Sequence, residues 1–174
     1  MKTIFLRVAL LLVSASFPAF AQLGNVWHVP AETRPSGVYV AGMRDPLNPL
    51  TSSSVTFYQG VFKGGGDNQT GGTLYYRFGG GSWQNAALDW HANETGTSVQ
   101  IWKSTITMPT TAGTTVDYYF APTFSAPVTS PTYIYNSGGT ATTATQSTAQ
   151  ANPFSFTVSP PRPVFTVNGT NGDY

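Results

Sequence analysis

Chemistry needs nucleophiles, acids, bases or metal ligands, and this chain supplies few. Its histidines are His28 and His91, its acids are Glu32, Asp45, Asp67, Asp89, Glu94, Asp117 and Asp173, and it has no cysteine. Asp89 and His91 stand two residues apart, so on a strand they share a face and could orient one another beside a serine. Nothing marks such a serine as activated. The sequence contains no G-x-S-x-G, no H-E-x-x-H and no phosphate-binding glycine loop. Glycoside hydrolysis would need two carboxylates at a fixed separation across a cleft, and spacing singles out no pair among the seven acids. Asp67 and Asn68 lie in the glycine-rich run KGGGDNQTGG, a candidate source of oxygen ligands for calcium without the EF-hand spacing. No other cofactor is expected. The missing cysteines exclude thiol nucleophiles, iron–sulfur clusters and cysteine-ligated zinc.

Binding is better supplied. Aromatic residues make up 14% of the chain, with tryptophans at Trp27, Trp83, Trp90 and Trp102. An exposed ring with polar neighbours can stack on the apolar face of a ligand while hydrogen-bonding its polar groups. A sugar ring is such a ligand. The stretch YYRFGGGSWQNAALDWH, residues 75–91, gathers the candidates Tyr75, Arg77, Trp83, Asp89 and Trp90. Trp102, Tyr76 and Phe78 are expected in the core. Trp90 precedes the polar run HANETGTS and is expected at an exposed margin, with Arg77 and Asp89 also on the surface. Tyr75 and Trp83 fit either place. His28 is expected to pack or hydrogen-bond near the first strand, and His91 to lie at a surface or sheet edge.

The elements that must position these residues read as strands. Short β-branched and aromatic runs recur between Gly, Pro, Ser, Thr and Asn clusters, predicting strands over 38–43, 54–62, 73–78, 98–108, 114–121, 132–136 and 153–158. A weaker strand is predicted over 86–91. Leu74, Tyr76 and Phe78 alternate with Thr73, Tyr75 and Arg77, and Val116, Tyr118 and Phe120 with Asp117 and Tyr119. Such alternation marks half-buried strands. No window carries a sustained helical period. Short strands without intervening helices predict an all-β, antiparallel immunoglobulin-like sandwich. Two segments read as loops: 63–72 as a mobile hairpin tip, and 136–152 as a polar surface excursion.

With 174 residues the chain has room for one ordinary domain. Residues 1–21 read as a secretory signal: Lys2 and Arg7 lead, VALLLV is the apolar run, and Ala19-Phe20-Ala21 precedes the cut. The product is expected to be secreted, periplasmic or on the cell surface. The module is expected over 22–159. Residues 160–174 begin with prolines and read as a stiff linker into the start of a further domain. The whole chain has 8 Lys+Arg and 7 Asp+Glu, so loss of Lys2 and Arg7 leaves a balance of −1. With 9% charged residues, neither nucleic acid nor an anionic membrane is an expected partner. A monomeric module is expected.

TLYYRFGGGSW, followed by IWKSTITMPTTAGTTVDYYFA, resembles immunoglobulin-like or fibronectin-like modules of secreted bacterial multidomain proteins. The leading segment GNVWHVPAETRPSGVYVAGMRDP is similar to the entry into such modules. The pattern is also similar to starch-binding modules, notably carbohydrate-binding module families twenty-five and twenty-six. The resemblance runs from about Trp27 to Val158 and rests on core and turn positions. It implies a non-catalytic accessory module that binds a polysaccharide or oligosaccharide, an α-glucan among the options, at the N-terminus of a secreted enzyme. Tyr75, Trp83 and Trp90 would then stack glucose. The alternative is a structural spacer or protein-interaction module without a sugar ligand.

Overall fold

The computed structural model describes residues 26–33, 38, 42–62, 68–125, 131–137 and 140–161. The signal segment, Asp67 and the linker beyond Pro161 lie outside them. The described residues form two antiparallel sheets packed face to face. The five-stranded sheet holds β1 (Val26–Trp27), β2 (Arg44–Asp45), β3 (Ser54–Phe62), β6 (Asp89–Asn93) and β7 (Val99–Thr107), ordered β1-β3-β7-β6 with β2 also on β3. The six-stranded sheet holds β4 (Gln69–Phe78), β5 (Gln84–Ala87), β8 (Thr115–Phe124), β9 (Tyr133–Asn136), β10 (Thr140–Thr143) and β11 (Phe154–Thr157). Its order is β10-β9-β8-β4-β5, with β11 also on β8. This is the expected all-β immunoglobulin-like sandwich.

Period-two alternation decides which side chains meet between the sheets. From β3 come Val55, Phe57 and Val61; from β8, Val116, Tyr118 and Phe120; Leu74, Trp102 and Ile106 complete the centre, all buried. Tyr76 and Phe78 pack against this core as expected. The out-of-phase residues of β3 and β7 build a second apolar cluster on the other face of their sheet, where Met43, Tyr58, Val99 and Ile101 gather with Trp27 and Val38. The indole of Trp27 lies directly over Gly60, its register partner, where a Cβ would collide with the ring.

Two buried polar links tie the sheets together. His28 donates from Nδ1 to the Tyr58 carbonyl at 2.7 Å and accepts at Nε2 from the Tyr118 hydroxyl at 2.9 Å. A carbonyl can only accept, and this fixes the tautomer. Gln69 on β4 donates to Gln59 Oε1 on β3 at 2.8 Å.

Three sequence expectations are corrected, and a fourth falls in part outside the described residues. Of the hairpin tip predicted over 63–72, residues 63–67 lie outside the described set; Gln69–Gly72 is already strand, and β3 and β4 belong to different sheets. Segment 136–152 is not a plain excursion: it holds β10 and a short helix, α1 (Gln146–Ala151), whose Ala149 is buried. Segment 86–91 is two strands, β5 in one sheet and β6 in the other. Leu88 is the pivot between them, 2% exposed, its amide donating to the Gly72 carbonyl at 3.0 Å. Of the strand predicted over 38–43, residues 39–41 lie outside the described set, and Gly42 and Met43 are bends leading into β2.

Candidate functional site

The outer face of the six-stranded sheet carries an aromatic cluster. On β4, Tyr75 and Arg77 point away from the core, opposite in phase to buried Leu74. Their register partners on β8 are Tyr119 and Asp117. The Tyr75 and Tyr119 rings stack at 5.0 Å with planes 12° apart. Such a cross-strand aromatic pair contributes about 0.5–1.5 kcal/mol beyond its buried area. The Tyr133 ring meets Tyr119 edge-on at 6.1 Å from β9.

Trp83 reaches this face through the turn between β4 and β5. Gly79 and Gly80 both take left-handed φ, 56° and 75°, which glycine adopts without a Cβ penalty. The chain folds back there, with Gly79 N–H donating to the Thr115 carbonyl at 2.8 Å and Gly81 N–H to the Phe78 carbonyl at 3.0 Å. The returning Trp83 meets Tyr119 edge-on at 4.9 Å and 73°. The Arg77 guanidinium covers the Trp83 ring at 4.5 Å. Trp83 and Tyr75 are both half-buried, so the ambiguity in the sequence reflects their real position.

Polar groups surround the rings. Arg77 Nε donates to Asp117 Oδ2 at 2.9 Å, and Ser155 Oγ on β11 donates to Asp117 Oδ1 at 2.9 Å. Asn85 on β5 is exposed beside Tyr75, its register partner. Gln146 and Gln150 of α1 donate to the Tyr119 hydroxyl at 2.8 Å and 3.4 Å. Tyr119 is thereby wholly buried although it faces away from the core. Burial raises its phenol above the ordinary range, against the pull of the two glutamine amides. The sequence placed Tyr119 on this face by alternation but gave no sign that neighbours would close over it. Asp117, Ser155, Tyr133 and the two glutamines were not read as site residues either, since they come from four other elements, β8, β11, β9 and α1.

The remaining candidates stand elsewhere. Trp90 pairs in register with Trp102 on β7 and shares its inward phase. Trp102 is in the core, as expected, at 6% exposed, whereas Trp90 is 54% exposed because β6 is the edge strand. Asp89 has the opposite phase, with Lys103 as its register partner. The structure therefore unites Tyr75, Arg77 and Trp83, and separates Trp90 and Asp89 both from them and from each other. His91 lies on the edge strand as expected, with Nε2 donating to the Val38 carbonyl at 3.0 Å.

Among the described residues, no three His, Cys, Asp or Glu side chains cluster as a metal site would require. Asp67 is outside this set, and Asn68 is exposed just before β4.

Comparison with protein-family models and with curated proteins returns no match. Among solved structures the chain is similar to a cycloalternan-forming enzyme from Listeria monocytogenes in complex with a pentasaccharide substrate, with a TM-score of 0.49 and 14% identity. It is similar in the same measure, TM-score 0.49 and 14% identity, to an uncharacterised Listeria monocytogenes protein in complex with glucose, magnesium and calcium. Each likeness covers 76% of this chain and 10% of the other, so the chain spans about a tenth of the length of those proteins.

Proposed function

We propose that this chain is a non-catalytic carbohydrate-binding module of a secreted protein, and that the outer face of its six-stranded sheet is the binding surface. One observation carries the reading: Tyr75, Trp83 and Tyr133 gather around Tyr119 on a sheet face turned away from the core, fringed by neutral amides from Asn85, Gln146 and Gln150. An outward sheet face ordinarily carries polar side chains. Rings with amides beside them suit a ligand that is apolar on its flat side and hydroxylated at its rim. Asp117 has both carboxylate oxygens engaged, one by Arg77 and one by Ser155, which suits a scaffolding role better than acid catalysis.

Depletion binding to insoluble starch, xylan and β-glucan tests the proposal. The chain should be removed from solution by at least one of them. Full recovery in the supernatant with all three would defeat it.

A second reading, a spacer without a ligand, draws support from a specific feature. The Tyr75–Tyr119 stack and the Arg77 cover on Trp83 satisfy the rings from within the domain. On that reading Tyr75→Ala changes stability and no affinity.

A further inference from the structure

The strands β4, β5, β8, β9, β10 and β11, together with α1, contain one cationic residue, Arg77, and one anionic residue, Asp117. The two are register partners joined at 2.9 Å, with side chains 27% and 13% exposed. Ser155, also opposite Asp117 in register, holds its second oxygen at 2.9 Å. The guanidinium thus sits over Trp83, tethered at one edge by Asp117, instead of projecting toward a ligand.

The geometry points to Asp117 as the residue that sets the charge selectivity of this face. This rests on the proposed binding function. Asp117 cancels the single cation of the sheet and engages Arg77 Nε, a donor that a carboxylate or sulfate would otherwise claim. An acidic glycan approaching Arg77 must compete with Asp117 and lie against its negative charge. A neutral glycan meets only rings, amides and an ion pair already closed on itself. Selection against acidic ligands therefore comes from a like charge placed beside the single cation of these strands, a repulsive element and not a missing attraction.

The test is affinity electrophoresis of the purified chain in gels containing polygalacturonate or dextran sulfate, with starch, xylan and β-glucan gels run beside them. The wild-type chain should not be retarded by the polyanions. Asp117→Asn keeps the shape and an acceptor for Ser155 but removes the charge. It should gain retardation by the polyanions, equivalent to about a tenfold tightening for one new charge-assisted hydrogen bond. Adding Arg77→Gln to that variant should abolish the gain. No gain in a folded Asp117→Asn chain overturns the inference, whatever the neutral gels show. If that variant does not fold, the wild-type chain decides. Polyanion retardation that disappears between about 20 mM and about 500 mM salt would show an open cation and overturn the inference, because exposed charges are screened over that range. Absence of polyanion retardation at both salts supports it. Loss of neutral-gel retardation alone counts against the binding function and leaves the role of Asp117 standing.

Discussion

Protonating His28 should destabilise the fold, because its ring is buried neutral between the sheets. The ring is fully buried between the sheets, with Nδ1–H committed to the Tyr58 carbonyl and Nε2 accepting from Tyr118. Burial pushes its pKa down to about 3, helped by the Arg44 charge and opposed by the Tyr58 hydrogen bond. In the unfolded chain the value returns to about 6.5. The unfolded state therefore binds the proton first as pH falls. The stability linked to neutral His28 is fully present above about pH 6.5 and is lost progressively until the folded ring protonates near pH 3. At about 1.4 kcal/mol per pH unit, the loss between pH 7 and pH 4 is about 3 kcal/mol. Urea unfolding of the wild type and of His28→Gln at both pH values isolates it, because the other titrations cancel in the difference. The variant should be less stable at pH 7 by about 1–3 kcal/mol, the cost of disturbed buried hydrogen bonds. That deficit should shrink or reverse by about 3 kcal/mol at pH 4. A deficit independent of pH would refute the buried neutral ring.

Leu88→Ala should cost about 2–5 kcal/mol in denaturant unfolding, since it empties the pivot between β5 and β6; a loss below about 1 kcal/mol would contradict its placement. Gly60→Ala should cost about 1–3 kcal/mol, read as a lower melting temperature, because the added methyl meets the Trp27 ring. Trp90→Ala should change stability by less than about 1 kcal/mol, as expected of a side chain 54% exposed on an edge strand, and should remove the most acrylamide-sensitive part of the tryptophan emission.

Alternation made the sheet interior legible. Leu74, Tyr76 and Phe78 face inward, and Tyr75 and Arg77 outward, because a one-residue slip would reverse every side chain on the strand. The core position of Trp102 followed from the same rule. Sheet membership was not legible. A crossover such as the one at Leu88 leaves no break in a short apolar-polar pattern, so β5 and β6 read as one strand. Nor do β1 and β2 announce themselves, for two residues cannot show a period. The helix α1 was hidden because six residues are too few to show a helical period, and its turns lack the charges that favour helix ends. The site was half legible for the same reason. Tyr75, Arg77 and Trp83 are close in sequence across one glycine turn, whereas Asp117, Tyr133, Gln146 and Ser155 join them only through pairing on β8 and the packing of α1. Trp90 and Asp89 looked like neighbours of Trp83 because chain distance hides a change of sheet.

The most direct measurement compares Tyr75→Ala with Trp90→Ala by affinity electrophoresis in the neutral glycan that retains the wild-type chain. Tyr75 belongs to the aromatic face of the six-stranded sheet, and Trp90 to the rim of the other sheet. Truncating Tyr75 should abolish retardation while the chain stays folded, and truncating Trp90 should leave it intact. Retention unaffected by the loss of Tyr75, or lost with Trp90 alone, would contradict the assignment of this face.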